Sequence, residues 1–293
     1  MPRSYSKFFY KEKIGEREVT NKFNITEKWK EPIYKDKKMR IRIMSDLHLD
    51  YNNRYPLELK DKDIFTIIAG DLSGYSKYRD EWLKENIHNG LFVEGNHIFY
   101  NNENKTLQQY YKELQNKYPL DSNLSFLQNQ YKIINDVVFV GCTLWTDCRL
   151  YGKKYIADLP KRMNDYRYGK YKAGNKKRTF TPQDSINEFN ESLKYIEEVS
   201  DLYPSHKIVV ITHHCPSIKC ISKHYRLGDC NHAYASNLEG FIQNHNNIVC
   251  WICGHSHNSC DFKIDGCRVI MNCRGYVPYG EDIKFNKNKI IYI

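Results

Sequence analysis

Residues 40–48 read Arg40-Ile41-Arg42-Ile43-Met44-Ser45-Asp46-Leu47-His48, a strand-length apolar run that breaks off into an aspartate and a histidine two positions apart. The same design returns four times. Ile64 to Ala69 leads into Gly70-Asp71, Leu91 to Glu94 into Gly95-Asn96-His97, Ile208 to Thr212 into His213-His214, and Ile248 to Cys253 into Gly254-His255-Ser256-His257. The runs predict strands over 40–45, 64–69, 91–94, 207–212 and 248–253. In an α/β sheet the carboxyl ends of the strands share one edge, so donors placed just beyond them converge on a single crevice.

Working outward, further strands are expected at 131–142, 260–264 and 267–271, and apolar spacing near three and four predicts helices over 76–88, 105–117, 182–199 and 234–245. Thr181-Pro182 with Asp184 is a good opening for the third helix, because the threonine can cap it and proline fits its first turn. The result is α/β alternation early and paired strands late. Residues 147–180 lack a convincing period and are dense in Tyr, Lys and Gly, so they read as a long basic surface excursion. Residues 1–38 are polar and weakly periodic, and read as a basic N-terminal extension with local structure at most, leaving 39–293 as the main domain.

With 41% hydrophobic, 14% aromatic and 27% charged residues, the chain of 293 residues falls in the globular range and can bury a full core. Its apolar runs are strand-length, far short of the roughly 18 residues of a membrane span, so no membrane partner is expected. The net charge of +10 first suggests nucleic acid. Residues 1–40 hold +6 and residues 151–178 hold +8, which leaves −4 for everything else. The excess is thus either solvated decoration or a track for nucleic acid. All ten cysteines lie between Cys142 and Cys273 in a long chain whose start lacks an apolar signal-peptide core, which fits a reduced, cytoplasmic protein. Cys250 and Cys253 form a Cys-x-x-Cys pair inside an apolar run, yet a second such pair at finger spacing is missing, so they read as buried free thiols.

The five motifs supply chemistry as a set. Asp46 and His48, at i and i+2, can clamp one divalent ion, and the two oxygens of Asp71 can bridge two. Asn96 offers a neutral oxygen, and Gly70, Gly95 and Gly254 allow tight turns beside the ions. Mixed His, Asp and Asn ligation suits Mn, Fe, Zn or Ni rather than a soft thiolate metal.

The series Asp46-x-His48, Gly70-Asp71, Gly95-Asn96-His97, Val210-x-x-His213 and Gly254-His255-x-His257 resembles the calcineurin-like metallophosphoesterases, in the family's order and over residues 40 to about 273. Gly141 to Asp147, Arg162 to Arg167 and Asn272 to Tyr276 look like the small, single-domain bacterial-type members. The resemblance implies an α/β fold with four αββα layers, two mixed sheets packed face to face with helices outside. It implies that Asp46, His48 and His257 hold one ion and that Asn96, His213 and His255 hold the other, with Asp71 bridging. Manganese is the first expectation for the two divalent ions.

The expected reaction is in-line attack of a metal-bridging hydroxide on a phosphodiester, with His97 as general acid to the leaving group. A nucleotide or small phosphodiester is the first substrate class. A DNA or RNA nuclease using the basic segments is the alternative, and a noncatalytic scaffold on the same fold is the alternative of another class. Two departures from the family bear on this. Ile98 stands where an acidic residue often follows Asn-His, and Leu72-Ser73-Gly74-Tyr75 lacks the arginine of the protein phosphatase branch, which argues against a protein phosphatase. His214 is expected to face away from the site by alternation. Tyr100, Arg149, Arg162, Arg226 and Arg274 could each bind substrate phosphate or base, and sequence ranks none of them.

Overall fold

The computed structural model describes residues 38–101 and 104–293, with the backbone alone at 153–155, and the backbone of residues 11–13, 16–20 and 26–30. The chain divides into two units, Met1–Lys38 and Met39–Ile293. In the first, β1 (Lys11–Lys13), β2 (Glu16–Thr20) and β3 (Thr26–Lys30) pair as an antiparallel meander.

Two sheets form the frame of the second unit. One has five strands in the order β16-β4-β5-β6-β7: β4 (Arg40–Met44), β5 (Thr66–Ala69), β6 (Gly90–Val93) and β7 (Leu124–Phe126) run parallel, and β16 (Ile290–Tyr292) pairs antiparallel to β4. The other has six in the order β14-β15-β13-β12-β9-β8. Its centre, β9 (Val137–Cys142), β12 (Lys207–Thr212), β13 (Ile248–Cys253) and β15 (Cys267–Met271), is parallel, while β8 (Gln130–Ile134) and β14 (Cys260–Ile264) are antiparallel edges.

Side-chain alternation sorts these strands into three cores. Ile41, Ile43, Ile67, Leu91 and Val93 face Phe139, Val209, Ile211, Ile252 and Ile270 between the sheets. On the far side of the five-stranded sheet, Met44, Ile68 and Phe92 meet Trp82 and Leu83 of α1 (Ser76–Asn86) and Leu107, Tyr110 and Leu114 of α2 (Leu107–Lys117). Beyond the six-stranded sheet, Val138, Val140, Val210 and Trp251 meet Phe189, Ile196 and Val199 of α5 (Pro182–Leu202) and Ile242 of α6 (Glu239–Gln243). The fold is therefore a four-layer αββα sandwich of two mixed sheets. Strands buried on both faces read as continuous apolar runs, which is why they stand out in the sequence.

Several local readings need adjusting. The run expected as one strand over 131–142 is a hairpin, β8 and β9, turned at Asn135 and Asp136 with φ of 49° and 64°, the twist a two-residue hairpin requires. The helix expected over 234–245 shortens to α6, because Ala235 bridges Cys215 instead of coiling. The excursion over 147–180 is more than surface: it forms α3 (Leu159–Arg162), α4 (Asp165–Tyr168) and a hairpin of β10 (Lys170–Ala173) and β11 (Lys176–Thr179). Leu159, Met163, Tyr166 and Phe180 pack into the core over α1 and α2. Thr181 and Asp184 do form the reciprocal cap that opens α5. Among the described residues no helix is long and apolar enough to cross a membrane.

Candidate metal centre

All five strand-end motifs arrive at one place. His48 Nε2 lies 2.9 Å from His257 Nε2, and His257 Nε2 lies 3.5 Å from Asp46 Oδ1. Asp71 stands at the centre: its Oδ2 is 3.2 Å from His213 Nε2 and 3.9 Å from both His48 Nε2 and His97 Nε2. His213 Nε2 is 3.2 Å from Asn96 Oδ1. Donor atoms fall into overlapping groups, Asp46–His48–His257, His48–Asp71–His97 and Asp71–His213–His255, each within 4.8 Å.

Backbone bending makes this convergence. Asp46, His48, Asp71, His255 and His257 all have φ between 42° and 72°, a region costly to residues with a side chain and found where a site over-determines the chain. The bends are held by backbone bonds from Asp46 N–H to Gly70 O, His48 N–H to Asp71 O and Gly275 N–H to Asp46 O. Gly70 has φ of +89°, and a Cβ there would sit 2.3 Å from His213 Nδ1. At Gly95 the need is space alone, since a Cβ would come within 2.1 Å of Asp71 Oδ1.

A second layer orients the donors. The Ala69 carbonyl, 2.9 Å from His213 Nδ1, fixes the proton there and leaves Nε2 to the cluster. Glu281 Oε2 does the same for His257 at 2.5 Å from Nδ1. Asp165 Oδ1 accepts from the Asn96 amide at 2.8 Å and from the Tyr100 hydroxyl at 2.9 Å, turning the Asn96 carbonyl oxygen inward. The His255 N–H donates to Asp46 Oδ1. His97 and His257 are the partly exposed members, and His97 Nε2 lies 3.0 Å from the Tyr276 hydroxyl. His214 is packed elsewhere, against Trp145 and beside the ring of His255, and burial pushes it down to about 3.

The electrostatics fit divalent cations. Burial would raise the Asp71 carboxyl, yet the surrounding histidines, His213 first, hold it well below the usual range. Burial would likewise lower His213, but the facing Asp71 carboxylate outweighs it and pushes the imidazole up to about 9, so a cation bound here would have to displace the proton from Nε2. Burial keeps His48 and His255 far below the ordinary imidazole range, in the neutral form that ligates metal. The ion pairs found at Asp46 and Asp71 among the described residues come from histidines, and the buried His48 Nδ1 has no partner. Two buried carboxylates surrounded by imidazoles call for positive charge, and the mixed oxygen and nitrogen donors suit a divalent ion.

Matching to known proteins agrees. The family model for calcineurin-like phosphoesterases matches residues 39–259. The chain belongs to this family. As a calcineurin-like phosphoesterase it is a metal-dependent hydrolase of phosphoric esters. It is 28% identical over 265 residues to an uncharacterized protein of Acanthamoeba polyphaga mimivirus, covering 81% of this chain and 92% of that one. Its fold is similar to that of a phosphopantetheinyl hydrolase from Mycobacterium tuberculosis, with a TM-score of 0.66, 15% identity, and coverage of 86% of this chain and 95% of the other.

The centre forms the floor of a cleft of about 680 Å³. Tyr100, Tyr234, Tyr276 and Arg162 line it, so two of the substrate-binding candidates are in place. Arg274 and Arg226 are committed elsewhere, to the carbonyls of Tyr55 and of Ile221 and Lys219. Sequence reasoning gave no role to Asp165, Tyr276 or Glu281. The first two lie inside motifs already quoted for the family, whereas Glu281 sits in a tail with no signal.

Proposed function

We propose that this phosphoesterase is a dinuclear phosphodiesterase acting on a nucleotide or another small phosphodiester, carried by residues 39–293. The observation that supports it is the convergence of Asp46, His48, Asp71, Asn96, His213, His255 and His257 around a central buried carboxylate at the floor of an aromatic-walled cleft. Asp46, His48 and His257 would hold one cation, Asn96, His213 and His255 the second, and Asp71 would reach both. When bound, the pair, manganese first among Mn, Fe, Zn and Ni, neutralises the phosphoryl oxygens and lowers the pKa of the attacking water.

The chain's own residues supply the rest. His97 borders both the cluster and the open cleft, so it is placed to give a proton to the leaving alkoxide. The Tyr276 hydroxyl at its Nε2 orients the ring. Asp165 aims Asn96, and Glu281 and the Ala69 carbonyl set the tautomers of His257 and His213. Tyr100 and Tyr234 offer ring faces to a base and Arg162 a guanidinium to a phosphate. The ten free cysteines support a reducing, cytoplasmic setting.

The test is a panel of nucleotides, cyclic nucleotides, bis-p-nitrophenyl phosphate, single-stranded DNA and RNA, each with Mn, Fe, Zn or Ni. Metal-dependent cleavage of the small diesters is expected. Cleavage of polymers alone would replace this reading with the nuclease, and a folded, metal-loaded chain inert on every substrate would replace it with a scaffold.

A further inference from the structure

A second cluster of ligands lies beside the first and plays no part in the phosphoesterase reading. We propose that Cys215, Cys220, Cys253 and Cys260 form a tetrathiolate site for one zinc ion, which fastens together the loops carrying His213, His255 and His257.

Three of the four thiols already stand at metal-site spacing. Cys215, Cys220 and Cys253 are fully buried, and their sulfurs lie within 4.8 Å of one another. Cys220 Sγ is 3.9 Å from Cys253 Sγ. Zinc–sulfur bonds of about 2.3 Å in a tetrahedron separate the sulfurs by about 3.8 Å, whereas a disulfide would bring them to about 2.05 Å. Cys260, partly exposed at the start of β14 and packed against the same apolar cluster, stands outside that group of three and would close the tetrahedron as the fourth donor. All four are free cysteines.

Thiols are weak hydrogen-bonding groups, so three of them gathered together satisfy each other poorly, and a soft divalent cation is the partner their chemistry selects. Loading breaks four S–H bonds, forms four S–Zn bonds and releases the four protons to solvent. It also ends the S–H donation from Cys215 to the Gly254 carbonyl 3.2 Å away. An outer layer is in place. The Ser256 hydroxyl donates to the Cys220 carbonyl at 3.0 Å, and the Asn258 amide donates to the same carbonyl at 2.9 Å.

Position gives the site its purpose. Cys215 follows His213 by two residues, Cys253 precedes His255 by two, and Cys260 follows His257 by three. Cys220 ends a single helical turn, Ile218–Cys220, in the loop that continues into the cleft wall at Ile221. A cation here would tie β12, β13 and β14 together at the end where the histidines emerge. Cys250, the other half of the Cys-x-x-Cys pair, takes no part: it lies in the core between the sheets.

The experiment measures zinc in the full chain by mass spectrometry, in an Asp71→Ala/His257→Ala background that removes zinc from the histidine and carboxylate centre. About one zinc per chain is expected to remain, falling below about a tenth with Cys220→Ser or Cys253→Ser added. X-ray absorption at the zinc edge is expected to show a shell of sulfur alone. Where a cysteine variant does not fold, cobalt substitution of the Asp71→Ala/His257→Ala chain decides, through thiolate-to-cobalt charge-transfer absorption. Zinc lost with Asp71 and His257, a shell of nitrogen and oxygen, no charge-transfer band, or a Cys220–Cys253 disulfide in the purified protein would each overturn the proposal.

Discussion

The loops after β12 and β13 present donors to two places: His213, His255 and His257 turn toward Asp46 and Asp71 on the cleft floor, while Cys215 and Cys253 turn toward Cys220. The first cluster mixes oxygen and imidazole, opens to a cleft and includes the partly exposed His97. The second is sulfur alone, with three of its members fully buried. Catalytic metal sites keep an open position and structural ones close, so the contrast assigns turnover to the first cluster and loop anchoring to the second.

The largest effect is expected at Asp71. Asp71→Ala removes the carboxylate shared by His48, His97 and His213, and phosphodiester turnover should fall at least about 10³-fold while the zinc held by the cysteines stays. Steady-state kinetics beside metal analysis checks this, and joint loss would break the division. Next comes His97. Replacing it with Asn should cost about 10²-fold in turnover of an alkyl diester and clearly less for a p-nitrophenyl ester, whose leaving group needs no proton. Equal losses on both would take the acid role away from His97.

A smaller effect is expected one layer out. Asp165→Asn loses the acceptor that turns Asn96, so the manganese concentration giving half-maximal activity should rise about 10-fold to 10²-fold, with no change in cysteine-bound zinc. The smallest effect on turnover is expected at Glu188, which lies in neither cluster. Burial in α5 pushes its carboxyl up to about 7, against a Tyr171 hydroxyl bond that lowers it. With the folded value above the unfolded one, the folded chain keeps the proton longer. Its contribution to stability is therefore full below about pH 4.5 and is lost as pH rises through about 7. Glu188→Gln should leave activity alone and raise stability at pH 8 by at most about 3 kcal/mol, with no gain at pH 4, as read by denaturant unfolding.

The two clusters also differ in how far they can be read from sequence. Asp46, Asp71, Asn96, His213 and His255 each follow an apolar run because their strands are buried on both faces, and the shared carboxyl edge brings them together without knowledge of any loop. The same feature exposes the parallel strands of both sheets. It fails for β7 and β16, three residues each, too short to show a period. It also merges β8 with β9, where only Asn135-Asp136 marks the turn. The cysteine cluster stays hidden for a different reason. Cys215 and Cys220 sit in an irregular loop far from Cys253 in the sequence, and the Cys-x-x-Cys spacing points to Cys250, whose side chain faces the opposite core from that of Cys253. Asp165 is an intermediate case: it lies inside the quoted Arg162 to Arg167 motif, but α4 sits in a segment without period, and only packing of Tyr166 and Phe180 brings it to Asn96.

The strand-end carboxylates and histidines are proposed to bind a pair of cations that run phosphodiester hydrolysis. The most direct test is titration of metal-free chain with manganese, following bound metal and bis-p-nitrophenyl phosphate hydrolysis together. Activity is expected to appear as two manganese ions bind per chain, and Asp71→Ala, folded, to give neither full binding nor turnover. Full activity with a single bound ion, or in Asp71→Ala, would contradict this reading.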